Sequence, residues 1–497
     1  MRKLLIFALL LMPVLEARAQ PATDGARQRK PGDLTFSPYQ IQFEGQTVKA
    51  EMGRLVVKEN RRNPNSNLIE LAFVRLRSTA GRPGHPVVYL EGGPGASAIG
   101  AARFPAYMRA FMKLREVGDV ILLDQRGVGL SRPNLTRLST QSLPANFFES
   151  QEGALQTVRE RSREAAEFFR RQGVDFAAYN TVESADDVED LRKAIGADKL
   201  NLVGFSYGTH LGLAVIRRHG DRVNRAALVG TEGPDHTSKL PGTSQAQLER
   251  LSKLVAKDPV VGAKVPDMIG LLRRILDRLE RRPVTVRVTD QRTKRPVDLT
   301  VGKFGLQLVI IMDLGDTSDL PIFPALFYTI DMGDYSILAR FIEKRYNQFG
   351  AGIPVMMQVM DASSGATRAR RERIARETKM SLLGNVMNFM DVGDIYGNPD
   401  LGDEFRSPIR TRVPTLFVSG TLDNNTPPFQ ADEVRRHFKN STHLLVKNAG
   451  HEDMLVNPQV QQAITEYLQG QDVSRLKLSL PEVRFLPLIG GSQSAPY

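Results

Sequence analysis

Apolar and polar positions follow two rhythms along this chain. Over residues 39–58, and again over 67–77, β-branched and apolar residues alternate with polar ones, and Pro64-Asn65-Ser66 separates the two stretches. A period of two marks half-buried strands, so an antiparallel pair at a sheet edge is expected. Further on, the alternation gives way to mainly apolar runs at 86–90, 117–123, 200–203 and 226–230. Such runs return at 415–419 and 442–446. Helical patterns lie between them, at 97–114, 153–172, 181–195, 209–218 and 459–470. The one at 181–195 opens on Thr181 with Glu183 close behind, a capping signal. Strands that are apolar throughout are buried on both faces. The expected fold class is therefore α/β, with a mostly parallel central sheet and helices on both faces.

The rhythm stops between residues 235 and 407. Helical patterns fill that segment, for example at 244–256 and 268–281, with a small hairpin expected from 284–289 and 297–301. This reads as a mostly helical cap inserted over the strand ends. The domain organisation follows: a first core part at 39–234, the cap at 235–407, a second core part at 408–472 and a tail at 473–497. Residues 20–38, polar and rich in Pro, Gly and Arg, read as a flexible leader.

Composition changes the picture in three places. Cysteine is absent from the 497 residues, which excludes disulfides, zinc–thiolate sites and a cysteine nucleophile. At the N-terminus Arg2 and Lys3 precede a short apolar stretch and Ala17-Arg18-Ala19. That pattern predicts a signal peptide over 1–19, cleaved after Ala19, and a periplasmic or secreted protein with no membrane attachment afterwards. The formal charge is +12. No recognition motif or basic–aromatic interleaving accompanies it, so nucleic acid is not expected as a partner. The densest basic cluster, from Arg368 to Arg376, alternates with Ala and Glu and reads as a solvated helix face.

The candidate chemistry centres on Gly204-Phe205-Ser206-Tyr207-Gly208, a G-x-S-x-G between an apolar run and a helix. In that context the serine stands at the tip of a turn so tight that both flanking glycines must be nearly free of side chain. A serine hydroxyl needs a base within hydrogen-bond reach, and the base needs an orienting carboxylate. Of seven histidines, His451 alone lies in a loop after a late strand, in Asn448-Ala449-Gly450-His451-Glu452. Asp423, at the turn after the preceding strand, is the natural carboxylate, with Asp432 and Glu452 as fallbacks. His210 and His219 belong to the helix behind Ser206, and His437 and His443 read as surface residues. Two backbone N–H groups must meet the oxyanion. Tyr207 supplies one, and Gly93, or else Gly92, the other. No metal site or cofactor is expected. No two histidines stand at ligand spacing on a helix, and the glycines after 92 do not match dinucleotide-binding spacing.

Gly92-Gly93-Pro94-Gly95, then Asp124-Gln125-Arg126-Gly127-Val128-Gly129-Leu130-Ser131, then Gly204-Phe205-Ser206-Tyr207-Gly208-Thr209 resemble the prolyl aminopeptidase and tripeptidyl aminopeptidase branch of the α/β hydrolases. Leu422-Asp423 and Gly450-His451 complete the order. The resemblance spans about residues 55–470, with the insertion matched in position and character. It implies an α/β-hydrolase fold and removal of N-terminal residues, proline or short peptides, from peptide substrates. It also implies that Asp124 and Arg126 buttress the site. The family commonly has His-Gly-Gly-Pro-Gly, and this chain has Glu91 in the first place. An aminopeptidase must bind a protonated amine. Glu232, Glu91 and Asp235, all at or just past strand ends, are the expected anchors, Glu232 first. The same triad would serve a carboxylesterase or amidase acting on a small ester or amide, and a binding protein could keep the fold without turnover.

Overall fold

The computed structural model describes residues 29–488. The signal peptide expected over 1–19 lies outside them. In chain order the strands are β1 (Leu34–Phe43), β2 (Gln46–Lys58), β3 (Leu68–Leu76), β4 (Val87–Leu90), β5 (Val120–Asp124), β6 (Thr136–Leu138), β7 (Leu200–Phe205), β8 (Val223–Val229), β9 (Val284–Asp290), β10 (Arg295–Val301), β11 (Gly352–Pro354), β12 (Thr415–Gly420), β13 (Ser441–Lys447) and β14 (Leu478–Ser479). Ten form one sheet in the order β1-β2-β3-β5-β4-β7-β8-β12-β13-β14. The β1–β2, β2–β3 and β3–β5 pairs are antiparallel. Every pair from β5–β4 to β13–β14 is parallel.

The apolar runs are explained by the two faces they serve. Val88 and Leu90 join one core with Ile121, Leu123, Leu202 and Leu228. Their neighbours Val87 and Tyr89 join the other with Leu122, Val203, Ala227 and Val418. Side chains alternate across a strand, so a strand covered on both sides needs apolar residues at every position. Helices Pro105–Leu114 and Pro458–Leu468 cover one face, where Met108, Phe111, Val460 and Ile464 pack. The cap shares the core of the other face, through Leu272, Ile275, Leu308 and Phe327 among others.

The structure corrects four local expectations. Residues 39–58 are two strands joined by a turn, because Glu44 and Gly45 both take positive φ, 48° and 77°. Such a two-residue turn matches the twist of a hairpin. The leader read over 20–38 ends earlier: Leu34 pairs with Leu55 and Pro38 with Glu51. Phe36 holds that strand down, edge-on to Phe73 at 5.8 Å and under Arg75 at 4.1 Å. The helix read over 97–114 breaks before Pro105, which opens the second helix at the position where its missing N–H costs nothing. The cap of Thr181–Ala194 is Asn180, whose side chain accepts the N–H of Glu183 at 3.0 Å. Of the tail beyond 472, Leu478 and Ser479 add the tenth strand beside Val446 and Lys447. Leu486 then donates its N–H to Pro321 O in the cap at 3.1 Å.

The cap consists of helices including Pro241–Lys257, Met268–Arg281, Lys303–Asp313, Phe323–Asp331, Ser336–Gly350, Val355–Ser364 and Arg368–Thr378, with the β9–β10 hairpin as expected. It enters after β8 and leaves before β12, neighbours in the sheet. Because β12 runs parallel to β8, the chain departs at the C-terminal end of β8 and re-enters the sheet at the opposite end, at the start of β12. β11 pairs with β6, a further tie between cap and core.

Candidate active site

Ser206 sits between β7 and helix Tyr207–His219 with φ 54° and ψ −124°. A non-glycine residue there carries strain on the order of 1–3 kcal/mol, which the surrounding packing must impose. The packing is visible in the two glycines. A Cβ on Gly208 would fall 1.9 Å from Leu90 O, and one on Gly204 2.6 Å from Gly208 O. Strand, turn and helix approach so closely that no other residue fits. Ser206 N–H donates to Val229 O at 3.0 Å, and the Thr209 hydroxyl donates to Ser206 O at 2.6 Å. The turn is thereby fixed from both sides, and the side chain of Ser206 stands half-buried above it.

His451 and Asp423 come together at the ends of β13 and β12, which lie beyond β8 in the same parallel sheet. His451 Nδ1 lies 2.9 Å from Asp423 Oδ2. Asp423 Oδ1 accepts the N–H groups of Asn425 and Thr426 at 2.8 and 2.9 Å, and Oδ2 accepts the Thr426 hydroxyl at 2.7 Å. That hydroxyl is also 3.1 Å from His451 Nδ1. Burial works to raise the Asp423 carboxyl, but the charge and hydrogen bond of His451, with those of Thr426, outweigh it and hold the group below its ordinary value. For His451 burial works downward, and Asp423 outweighs it, lifting the imidazole above its ordinary value. The His451 ring stacks 4.9 Å from that of Phe205, the residue before Ser206. A Cβ on Gly230 would meet the ring at 3.1 Å.

The fallback carboxylates are engaged elsewhere. Asp432 takes Arg435 at 2.8 Å and His443 at 3.2 Å, and Glu452 accepts the Tyr107 hydroxyl at 3.0 Å. His443 is not the surface residue expected: it is mostly buried, with Nε2 3.0 Å from the Ser419 hydroxyl. His210 and His219 do face away, His210 to Gly233 O and the Ser364 hydroxyl, His219 to Asp186.

At the oxyanion position Tyr207 N–H opens a helix, where amide groups have no intrahelical partner and the helix dipole favours negative charge. Gly92 and Gly93 separate here. Gly92 N–H donates to Glu91 Oε1 at 2.8 Å and is occupied. Gly93 takes φ 113°, a conformation that glycine alone adopts easily. Gly92 still must be glycine, since a Cβ there would lie 2.9 Å from that of Ser206. Asp124 and Arg126 buttress these loops. Asp124 accepts the Ser97 hydroxyl at 2.7 Å and the N–H groups of Ile99 and Leu130 at 3.1 and 2.8 Å. Arg126 is wholly buried, bidentate to Asp187 at 2.7 Å, and donates to Glu59 O and Ala178 O at 2.6 Å.

The three expected amine anchors fare differently. Glu91 is turned inward: its oxygens take Gly92 N–H and the Tyr89 hydroxyl, the latter at 3.0 Å. Burial, reinforced by the charges of Glu452 and Asp124, pushes it up to about 7. Glu452, beside His451 on the same side of the sheet, is likewise raised by burial to about 7. Asp235 is also engaged, holding the N–H and hydroxyl of Thr367 at 2.8 and 2.7 Å, which secures the start of Arg368–Thr378. Glu232 remains. Its Oε2 pairs with Lys239, while Oε1 is buried without a hydrogen-bond partner. Burial works to raise it, but the charge and hydrogen bond of Lys239, together with His210 and His236, outweigh that and hold Glu232 below its ordinary value. Sequence reasoning missed Asp361, on cap helix Val355–Ser364. Its side chain makes no hydrogen bond among the described residues, and it is felt electrostatically by Glu232 and by Tyr207. Its one signal was a carboxylate ending an otherwise apolar stretch, Val355-Met356-Met357-Gln358-Val359-Met360.

The cap closes on this geometry. Met356 lies against both glycine loops: a Cβ on Gly95 would be 3.1 Å from Met356 Cβ, and one on Gly127 2.4 Å from its Sδ. On the other side Gly315 O accepts the N–H of His451 at 2.9 Å.

Two family models match the chain, in separate pieces. Residues 85–265 match an α/β hydrolase fold model and residues 401–476 a TAP-like protein model. The first piece holds Gly92, Gly93 and Ser206, and the second Asp423 and His451. Serine protease Hip1 of Mycobacterium tuberculosis is 31% identical over 189 residues, 37% of this chain and 36% of that protein. Tripeptidyl aminopeptidase of Streptomyces coelicolor is 30% identical over 201 residues, 38% of this chain and 34% of that one. A putative hydrolase of Escherichia coli, YuaR, is 30% identical over 207 residues, 39% of each chain. The match thus spans little more than a third of each relative. With its ten-stranded, mostly parallel sheet, the chain has the α/β-hydrolase fold, with a TAP-like segment at 401–476.

Proposed function

We propose that this chain is a serine hydrolase working through an acyl-enzyme on Ser206, and that its substrates are peptides cleaved near a free N-terminus. The observation that carries the reading is the Asp423–His451 pair, closed at 2.9 Å at the C-terminal ends of β12 and β13, on the same end of the sheet as the Ser206 elbow after β7. His451 takes the Ser206 proton as the oxygen attacks the carbonyl carbon. The oxyanion is met by Tyr207 and Gly93 N–H. The C–N bond breaks as His451 returns the proton to the departing amine, and water, activated by the same base, releases the acid. Asp423 holds the imidazole in the tautomer this requires and stabilises the imidazolium.

The unpaired Glu232 Oε1 supports the aminopeptidase reading. A buried carboxylate oxygen with no donor is costly to leave alone, and a substrate ammonium would supply one. Asp361 faces the same region from the cap. The Hip1 and tripeptidyl aminopeptidase likenesses agree with peptide cleavage. Export after cleavage of the 1–19 leader is part of the proposal, and N-terminal sequencing of the mature protein checks it.

Two measurements test the function. A fluorophosphonate probe should label the wild type and not Ser206→Ala; labelling that survives the substitution excludes this nucleophile. A panel of aminoacyl and tripeptidyl amides, free and N-acetylated, beside simple esters then separates the substrate classes. Equal rates on free and acetylated amides would remove the amine-binding reading and leave an esterase or amidase.

A further inference from the structure

At the opposite end of the sheet from Ser206 lies a groove of about 1050 Å³. It crosses the N-terminal starts of four adjacent parallel strands, β7, β8, β12 and β13. Lys199 stands just before β7, Arg410 and Arg412 before β12, and Arg436, His437 and Lys439 before β13. None of these six side chains has an ion-pair or side-chain hydrogen-bond partner among the described residues. Asp221 is the one carboxylate in the lining, and it lies 3.4 Å from Arg222. Folding thus gathers five lysine and arginine cations from three separate loops into one concavity and leaves their charge unanswered.

We propose that this groove is a docking site for a linear polymer carrying closely spaced phosphates, read through its charge alone. Three inter-strand spacings of about 4.8 Å make the row of strand starts roughly 14 Å wide, several phosphates of an extended chain and far more than one small anion. Three of the cations are arginines, whose planar fork fits phosphate oxygens in pairs. The apolar lining residues Val413 and Phe438 are buried, at 7% and 6% exposure. No exposed apolar pocket is therefore offered to the anchor side chain that a protein partner would insert. No exposed phenylalanine, tyrosine or tryptophan ring lines the groove for base stacking either. A bilayer surface, being flat, cannot enter a concavity whose sides carry the charge. Because the catalytic candidates stand at the other end of the same strands, a polymer held here leaves Ser206 open.

The test uses fluorescently labelled long-chain polyphosphate and the full chain, with titrations over a range of salt. The wild type should bind, with log affinity falling against log salt at a slope of roughly −3 to −4, as about 0.7 counterions are released per phosphate on a flexible strand. The variant Arg410→Glu, Arg412→Glu, Arg436→Glu, Lys439→Glu should bind at least tenfold more weakly, with an unchanged melting curve showing that it folds. The control reverses four exposed arginines elsewhere, Arg273, Arg274, Arg281 and Arg282, and should keep most of the affinity. Equal losses in the two variants would show that net charge and not the groove is responsible, and would overturn the proposal. So would binding of poly-glutamate or of vesicles containing anionic lipid in preference to polyphosphate.

Discussion

The carbonyl of Gly315, in the cap, accepts the backbone N–H of His451 at 2.9 Å. The residue read as general base is thus held by the element that covers the site. Gly450 makes the contact possible, since a Cβ there would lie 2.6 Å from Gly315 O. Gly450→Ala should push the base loop off the cap. Misplacement by about 1 Å costs on the order of 10²-fold in rate, so kcat should fall by about that much while the melting temperature moves little. Steady-state kinetics beside a thermal melt checks it.

The Asp423–His451 pair sets a pH signature. Asp423 raises the imidazole above its ordinary value, and only neutral His451 can act as base. The acid limb of kcat/KM should therefore lie higher than for a free histidine. Asp423→Asn should lower kcat by about 10⁴-fold, the usual cost of losing the orienting charge. In stability, the raised His451 contributes fully below its unfolded value and loses that contribution as pH rises through its folded value. The depressed Asp423 contributes above its unfolded value and loses it as pH falls through its folded one. A pH–rate profile and a pH series of melts on wild type and variant test both.

Glu232 should separate substrates by their amine. Glu232→Gln removes the charge but keeps the shape. KM for free-amine amides should rise at least tenfold, with little change for esters that carry no amine. Parallel KM measurements on the two substrate classes decide, and equal changes on both would assign Glu232 a structural role.

Glu91 and Glu452 make a stability prediction of opposite sign to that of Asp423. Folding raises each from an ordinary 4.5 to about 7. Between those values the folded chain keeps protons that the unfolded chain gives up. Stability from this pair is complete below pH 4.5 and is lost as pH rises through about 7. Wild type should melt at falling temperature across that interval, and Glu91→Gln with Glu452→Gln should flatten the decline. Calorimetry at several pH values measures it.

Arg126 makes a purely structural prediction. Arg126→Lys cannot reproduce the bidentate bond to Asp187 together with two carbonyl bonds. It should cost about 3–5 kcal/mol, the range for breaking a buried pair, read as a fall in denaturant midpoint.

Much of this was legible in the chain because the physics is local. The apolar runs announced the parallel strands. Gly204 and Gly208 announced a turn that admits no side chain, and the strand order placed Asp423 and His451 beside one another. What escaped depended on contacts distant in sequence. Leu34–Pro38 are polar enough to read as a leader and become a strand through pairing with β2, where Phe36 also meets Phe73. Glu91 reads as an anchor by position, but the Tyr89 hydroxyl and Gly92 N–H draw it inward. Asp361 carries no motif, and its nearness to Glu232 is made by the cap's return over the sheet.

The cap's point of entry has a consequence for the order in which the protein becomes competent. The nucleophile candidate lies on the chain before the insertion and its acid and base after it, although β8 and β12 are neighbours. During synthesis the Ser206 elbow emerges long before the strands that carry Asp423 and His451. A nascent or truncated chain ending inside the cap holds a serine with neither partner. Hydrolytic activity would then arise only when the last parallel strands dock, so the cell meets this chemistry in finished molecules and not in partly made ones.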